Sequence, residues 1–248
     1  MSAHYRFSNA ARMEWIKLTS LRSTWWTLAV TIAGAVAIAV AVGANTRDAS
    51  ADLTNNSLAG VALGLLTIGA LGAVLVTGEH SSGSIRSTLA AIPNRPLLLA
   101  AKAAVFGLAA LAAGEAAAFI AFFAGAAALP GAVPAPTLGQ PGVLRAVALS
   151  GAGLCLIGLL GMGVGAIVRH TGAAIAVLVG GVFVGAQFVG AFAHSALAYV
   201  PIAIVGNSLA AVQPQPYSLS PWAGLGVLCL YAAVALGAGA WLLARRDA

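Results

Sequence analysis

The sequence predicts an all-α integral membrane protein with six transmembrane helices. Of its 248 residues, 60% are hydrophobic and only 7% are charged, whereas a soluble domain carries about 25% charged residues. Apolar runs close to the ~20 residues that a helix needs to cross a bilayer recur along the chain. The chain also contains 30 glycines, and small residues let helices approach closely in lipid.

We divide the chain into residues 1–24, a predicted interfacial helix, and residues 25–248, a predicted transmembrane domain. The predicted spans are residues 25–44, 58–78, 97–129, 145–168, 173–193 and 221–243. The first run is longer than the ~7–15 apolar residues of a signal-peptide core, so it is interpreted as a span. In residues 1–24, the side of the helix that carries Trp15, Leu18 and Leu21 is expected to face the membrane.

The distribution of basic residues predicts the orientation. The net charge is +6, and most basic residues flank the spans on one side of the predicted topology. That side holds Arg6, Arg12, Lys17, Arg22, Arg86, Arg95, Lys102, Arg169, Arg245 and Arg246, and the other side holds Arg47 and Arg145. The positive-inside rule then places both termini in the cytoplasm. The basic residues do not form a contiguous patch, so they do not indicate nucleic-acid binding. Attraction to anionic lipid on the cytoplasmic side accounts for the positive charge.

A polar segment, residues 77–102, separates the second and third predicted spans. Ser82 and Ser84 can cap a helix start, and an apolar stripe follows at helical spacing, formed by Ile85, Leu89 and Ile92. We predict a short helix within residues 81–93 whose stripe contacts a partner, although a connector resting on lipid headgroups would share this pattern. Glu79 could pair with Arg86, with Arg95 or with a basic residue of a partner.

This segment resembles the permease subunits of ABC-2 type exporters. The resemblance is carried by Thr77, Glu79, Gly83, Ser84, Leu89, Pro93, Arg95 and Lys102, and by the motifs Glu14-Trp15-Ile16-Lys17, Arg22-Ser23-Thr24-Trp25-Trp26, Ser220-Pro221-Trp222 and Arg245-Arg246-Asp247-Ala248. It implies that residues 81–93 form a cytoplasmic coupling helix that docks on a separate ATPase subunit. The implied docking residues are Glu79, Gly83, Ile85, Arg86, Leu89 and Ile92.

The resemblance also implies an assembly and a location. A second permease subunit, identical or related, would complete the pathway in the plasma membrane, and the cargo would be a small hydrophobic or amphipathic drug, peptide or lipid. Residues 194–220 would form short re-entrant helices on the outer side, although a surface loop fits their composition nearly as well.

No catalytic, cofactor or metal site is expected in this chain. Its two lysines, Lys17 and Lys102, do not follow the glycine pattern of a phosphate-binding loop, so ATP would be used by a partner subunit. Neither a G-x-S-x-G nor an H-E-x-x-H motif occurs. Cys155 and Cys229 lie in apolar runs and are interpreted as packing residues.

Glu115 is an ionisable residue deep in the third predicted span. A carboxylate at that depth is costly, so it should face the bundle interior or a water-filled pathway. Gln187 in the fifth predicted span is the strongest candidate partner. We expect these two residues to line the cargo pathway or to form a structural hydrogen bond between spans.

Glycine pairs at small-xxx-small spacing occur in three predicted spans. They are Gly60 and Gly64, Gly161 and Gly165, and Gly181 and Gly185. Packing within the chain is the preferred interpretation, and a dimer interface is the alternative.

Two other functions fit a multi-span chain. An ion-coupled secondary transporter would need intramembrane ionisable groups and usually an internal repeat, but the sequence offers one deep acid and no convincing repeat. A membrane anchor or assembly factor would not transport anything. Whether an ATPase accompanies the protein during purification separates these functions from the exporter.

Overall fold

A computed structural model describes residues 6–185, 188, 194–213 and 215–245. Within these residues the regular structure is entirely helical. The helices are α1 (Phe7–Ser20), α2 (Arg22–Asn45), α3 (Leu53–Ser57), α4 (Val61–Ser81), α5 (Ile85–Ala91), α6 (Arg95–Ala127), α7 (Val143–Val168), α8 (Thr171–Val179), α9 (Pro201–Ala203) and α10 (Pro221–Arg245). Five of them, α2, α4, α6, α7 and α10, are long and apolar enough to cross a membrane.

These five helices coincide with five of the predicted spans, and their length and apolar composition fit a multi-pass membrane protein. The remaining predicted span, residues 173–193, begins as α8 and continues as a π-helical segment, Gly180–Val184. Its second half lies largely outside the described residues, so the structure shows five helices that could span a membrane and does not test the sixth.

Helix α7 lies at the centre of the bundle and packs against α4, α6 and α10. Glycines permit the closest approaches, because a Cβ on Gly72 of α4 would overlap the carbonyl oxygen of Gly158 in α7. Gly161 packs in the same way on the backbone of Gly69. Backbones this close bring many atoms into van der Waals contact, which stabilises helix association in lipid.

The predicted intramolecular role of the glycine pairs is confirmed in two of the three spans. Gly60 packs on α2, Gly64 on the side chain of Leu154, and Gly165 on Ala73. By contrast, a Cβ on Gly181 would meet open space.

At one end of the bundle, short segments are fastened to the main helices. Asp52 accepts hydrogen bonds from the backbone nitrogens of Val212 (2.7 Å) and Gln213 (2.8 Å), and Arg145 Nη2 donates to the carbonyl oxygen of Ala211 at 3.0 Å.

The region predicted as re-entrant or as a loop, residues 194–220, packs against this end. It contains a 3₁₀ helix, His194–Tyr199, and α9, which continues into a π-helical turn, Ile204–Leu209. Ile204 and Leu209 are fully buried against α7 and α10. The helical turn Ile204–Leu209 therefore contributes to the core, whereas Pro201–Ala203 contain no buried residue. The choice between a re-entrant segment and a surface loop stays a prediction.

The opposite end carries α1 and the chain between α4 and α6, residues 82–94, which we call the connector. Helix α1 packs on α6 and buries Ala10, Glu14 and Leu18 against the bundle, while Trp15 is 51% exposed. Leu18, expected on the membrane-facing side with Trp15 and Leu21, is therefore buried in the protein, whereas Trp15 and Leu21 are exposed. The N-terminal helix also ends earlier than residue 24, since Leu21 has an extended backbone and α2 begins at Arg22.

Candidate functional site

Four charged side chains meet where α1, α4 and α6 converge. We call Glu14, Lys17, Glu79 and Lys102 the charge tetrad. Lys17 Nζ lies 3.2 Å from Glu14 Oε1 and 2.8 Å from Glu79 Oε1. Lys102 Nζ lies 2.5 Å from Glu14 Oε2 and 3.0 Å from Glu79 Oε1. The tetrad thus contains both lysines and two of the three glutamates of the sequence.

Helix geometry explains how α1 contributes two members. Glu14 and Lys17 are three positions apart, so they occupy the same helical face. Ala10, one turn before Glu14, is fully buried beside Leu98 and Ala101 of α6. The small side chain lets α1 lie close to α6 and brings Glu14 within reach of Lys102.

The tetrad is largely withdrawn from solvent. Glu14 is 3% exposed and Lys102 is 7% exposed. Burying a charge is costly unless it is paired, and here two carboxylates and two ammonium groups neutralise one another. Each carboxylate contacts both lysines, so the loss of any one member leaves two partners incompletely paired.

Lys17 remains charged in this setting. Burial by itself would lower the pKa of Lys17, but the hydrogen bond to Glu79 and the negative charges of Glu14 and Glu79 outweigh burial and raise it above the ordinary value of 10.5. Lys17 Nζ also donates to Thr88 Oγ1 at 3.1 Å. Because Thr88 belongs to α5, the tetrad is bonded to the connector as well as to the three longer helices.

The connector is built from turn residues around a short helix. Helix α4 ends at Ser81, and Gly83 follows with φ of +72°, a left-handed conformation that glycine adopts without strain. Helix α5 then spans Ile85–Ala91, within the predicted 81–93 but shorter. The capping prediction is wrong for Ser84, whose side chain makes no capping bond.

The apolar stripe faces the protein's own core. Ile85 and Ile92 are each 7% exposed. Ile92 lies in a cluster with Ala10, Leu98 and Ala101, and the half-buried Leu89 packs on that cluster. Ile92 and Leu89 therefore pack on the protein's own α1 and α6, and contact between this stripe and a partner stays a prediction.

The other side of α5 is exposed. Arg86, Ser87, Ala90 and Ala91 are exposed, and we call them the outer face of α5. Of the predicted docking residues, Arg86 and Gly83 are exposed, whereas Glu79 belongs to the tetrad. Glu79 pairs with Lys17 and Lys102 rather than with Arg86 or Arg95.

A cleft of about 480 Å³ opens beside the tetrad. All four tetrad residues contribute to its lining. Apolar side chains from α4 and α6 form one part of the wall, and hydroxyl groups from α1, α2 and the connector form another. The lining of the cleft therefore combines charged, hydroxylated and apolar side chains.

Glu115 lies far along α6 from the tetrad, where α6 crosses α7. A Cβ on Gly151 would lie 2.8 Å from Glu115 Oε1, so the carboxyl group rests against the α7 backbone. Glu115 is half-buried, and no described residue donates a hydrogen bond to it. Leu108 and Leu111, two turns and one turn before it, are 69% and 39% exposed. Gln187, its predicted partner, lies outside the described residues.

Sequence reasoning missed the tetrad as a unit. Glu79 was singled out, but Glu14, Lys17 and Lys102 were interpreted as motif or span-end residues. Among the described residues, no group of His, Cys, Asp and Glu side chains is arranged to hold a metal ion.

A scan of protein-family models and a search of curated proteins find no match to this chain.

Proposed function

We propose that this chain is the membrane-spanning permease subunit of an ATP-driven exporter of the ABC-2 type, driven by a separate ATPase subunit. The proposal is supported by the sequence resemblance, by the five apolar helices and above all by the construction of the connector. The outer face of α5 is free, while its inner face is fastened to the bundle through Ile92 and through the Thr88–Lys17 hydrogen bond.

This construction is suited to passing movement from an ATPase to the transmembrane helices. A force on the outer face of α5 reaches α1 through Lys17, and from there α4 and α6 through the tetrad. Separating buried ion pairs is costly, on the order of 3–5 kcal/mol when one partner is lost. The four helix ends therefore move together rather than slide past one another.

The proposed topology has six spans, with both termini and the connector in the cytoplasm. The membrane is proposed to be the plasma membrane. A second permease subunit completes the pathway, and the cargo is small and hydrophobic or amphipathic. The concentration of basic residues at the end that carries α1 and the connector supports this orientation.

The decisive experiment is purification from the native membrane in mild detergent. An ATPase subunit is expected to accompany the wild-type protein and to be lost from Arg86→Glu, which reverses a charge on the outer face of α5. Arg47→Glu is the matched control. Arg47 is also exposed, but it follows the C-terminal end of α2, whereas α1 and the connector lie at the other end of the bundle. If no ATPase accompanies even the wild-type protein, the chain is a secondary transporter or an anchor instead.

The orientation is tested with single cysteines in a background lacking Cys155 and Cys229. An impermeant thiol reagent added to intact cells should label a cysteine at Ser50 and should not label one at Ser87. Both positions are exposed, so the difference reports the side of the membrane. External labelling at Ser87 would exclude a cytoplasmic connector and, with it, docking on an ATPase.

A further inference from the structure

In the tetrad beside the cleft, most hydrogen-bonding groups already have a partner, but one carboxylate oxygen does not. The three N–H groups of Lys17 have acceptors in Glu14, Glu79 and Thr88. Both oxygens of Glu14 are engaged by lysines, and Glu79 Oε1 accepts from both Lys17 and Lys102. The remaining oxygen, Glu79 Oε2, accepts no hydrogen bond from any described residue. Glu79 lines the cleft and its side chain is 13% exposed there.

The surroundings of Glu79 are those of an amphiphile site. Ser20, Ser23 and Ser84 add hydroxyl groups to the lining, and these groups can accept as well as donate hydrogen bonds. Leu75 and Phe106 belong to the apolar wall. The volume of about 480 Å³ lies within the ~300–1,000 Å³ typical of small-molecule sites. Such a cleft has room for a polar head and part of a hydrocarbon chain.

The free groups favour a cation with N–H donors over an anion. Each N–H of Lys17 already has an acceptor, whereas Lys102 has two acceptors, Glu14 and Glu79, for its three N–H groups. The Lys102 side chain is only 8% exposed, so an anion would have little access to its remaining N–H and would face the carboxylate of Glu79. The arginines that flank the tetrad members in sequence, Arg12, Arg22, Arg86 and Arg95, are not among the residues that line the cleft. An ammonium group can donate to Glu79 Oε2 in a charge-assisted hydrogen bond, which is among the stronger polar contacts in proteins.

We propose that this cleft binds an amphiphile with a primary ammonium head, which donates a hydrogen bond to Glu79 Oε2 while the chain lies along α4 and α6. The remaining N–H groups of the ammonium would bond to the serine hydroxyls. A quaternary ammonium carries the same charge but has no N–H, so it should bind less well. This site is independent of the exporter function, because binding requires only the chain itself.

The test uses the full chain in phosphatidylcholine nanodiscs, a lipid without a primary amine. Dodecylamine is titrated, and binding is followed by native mass spectrometry and by the unfolding midpoint. One dodecylamine per chain should bind and raise the midpoint. Dodecyltrimethylammonium and dodecyl phosphate should bind about tenfold more weakly or worse, since a hydrogen bond to a charged group contributes about 1.5–3 kcal/mol. Equal binding of the primary and quaternary amines would overturn the proposal.

A matched pair of variants separates the cleft from general partition into lipid. Val74 lines the cleft and is 38% exposed, so Val74→Trp should fill the cleft without disturbing the core. Val30 is 53% exposed on α2 and lies outside the cleft, so Val30→Trp is the control. Dodecylamine binding should fall in Val74→Trp and persist in Val30→Trp. Unchanged binding in Val74→Trp would place the amine elsewhere and refute the assignment.

A last arm identifies the source of the ammonium group. Phosphatidylethanolamine replaces part of the phosphatidylcholine in the nanodiscs. If it competes with dodecylamine, the cleft accepts the headgroup of a membrane lipid. If it does not, the cleft is selective for free amphipathic amines.

Discussion

Lys102 Nζ lies 2.5 Å from Oε2 of Glu14, although the two residues are 88 positions apart in the chain. The contact joins a surface helix to the beginning of the longest apolar helix. Helix α1 is therefore attached to the transmembrane bundle by specific, buried polar contacts, in addition to any affinity that its exposed aromatic residues have for the membrane. The connector shares this attachment through Thr88.

We predict that Glu14→Gln destabilises the protein strongly. The substitution retains the shape but removes the negative charge that both lysines share, and breaking a buried ion pair costs about 3–5 kcal/mol. Thermal or denaturant unfolding in detergent measures the loss. Asp48→Asn is the control, because Asp48 is exposed and bonds only to the nearby Ser50. A Glu14→Gln variant as stable as Asp48→Asn would mean that the tetrad does not hold α1 in place.

The stabilisation by Lys17 should disappear at alkaline pH. Because the folded-state pKa of Lys17 is raised above 10.5, its contribution is fully present below pH 10.5 and is lost as pH rises through the folded value. The difference in unfolding midpoint between wild type and Lys17→Met should be constant from neutral pH to about pH 9 and should shrink above pH 10.5. A difference that stays constant at higher pH would show that the Lys17 ammonium contributes nothing.

Two glycines of α4 should respond oppositely to the same substitution. Gly72→Ala places a methyl group against the carbonyl oxygen of Gly158 and forces α4 and α7 apart, with an expected cost of about 1–3 kcal/mol. Gly78→Ala meets no atom within 4 Å and should be neutral or stabilising by about 0.5–1 kcal/mol through helix propensity. Unfolding midpoints of the two variants give the comparison. Equal effects would contradict close packing between α4 and α7.

Glu115→Gln tests whether that carboxyl group lines the cargo pathway. The substitution keeps the size and most of the hydrogen-bonding capacity but removes the charge, so expression and ATPase association should be unchanged. Transport of cationic cargo should fall by about tenfold, the factor expected for loss of a charge-assisted hydrogen bond, and transport of neutral cargo should fall less. Uptake into inverted vesicles with a panel of cationic and neutral substrates provides the measurement. Identical behaviour across the panel would leave Glu115 a structural role.

The spanning helices could be predicted from the sequence because a bilayer imposes a length and excludes charge. The run from Leu58 to Gly78 and the helix Val61–Ser81 agree within three residues at each end. Periodicity correctly identified the apolar side of α5. It could not identify what covers that side, because a stripe such as Leu89 and Ile92 would look the same against a partner or against α1 and α6.

The tetrad could not be predicted from any local pattern. Its members come from residues 14 to 102, and their proximity depends on how α1 folds back onto α6. A partial signal was available, since both lysines and two of the three glutamates lie near predicted span ends on the same side of the membrane. In a chain with so few charged residues, each buried charge has few possible pairing partners other than these.

Because both lysines belong to the tetrad, the reaction of their amino groups with reagents depends on the state of that cluster. An acylating reagent meets Lys17 with a third of its side chain exposed and Lys102 with almost none. The extent of acylation at Lys102, compared with that at Lys17, therefore reports whether α1 and α6 are in contact. A ligand, nucleotide or partner that exposes Lys102 to acylation must first have separated it from Glu14, and mass spectrometry of one peptide would record that separation.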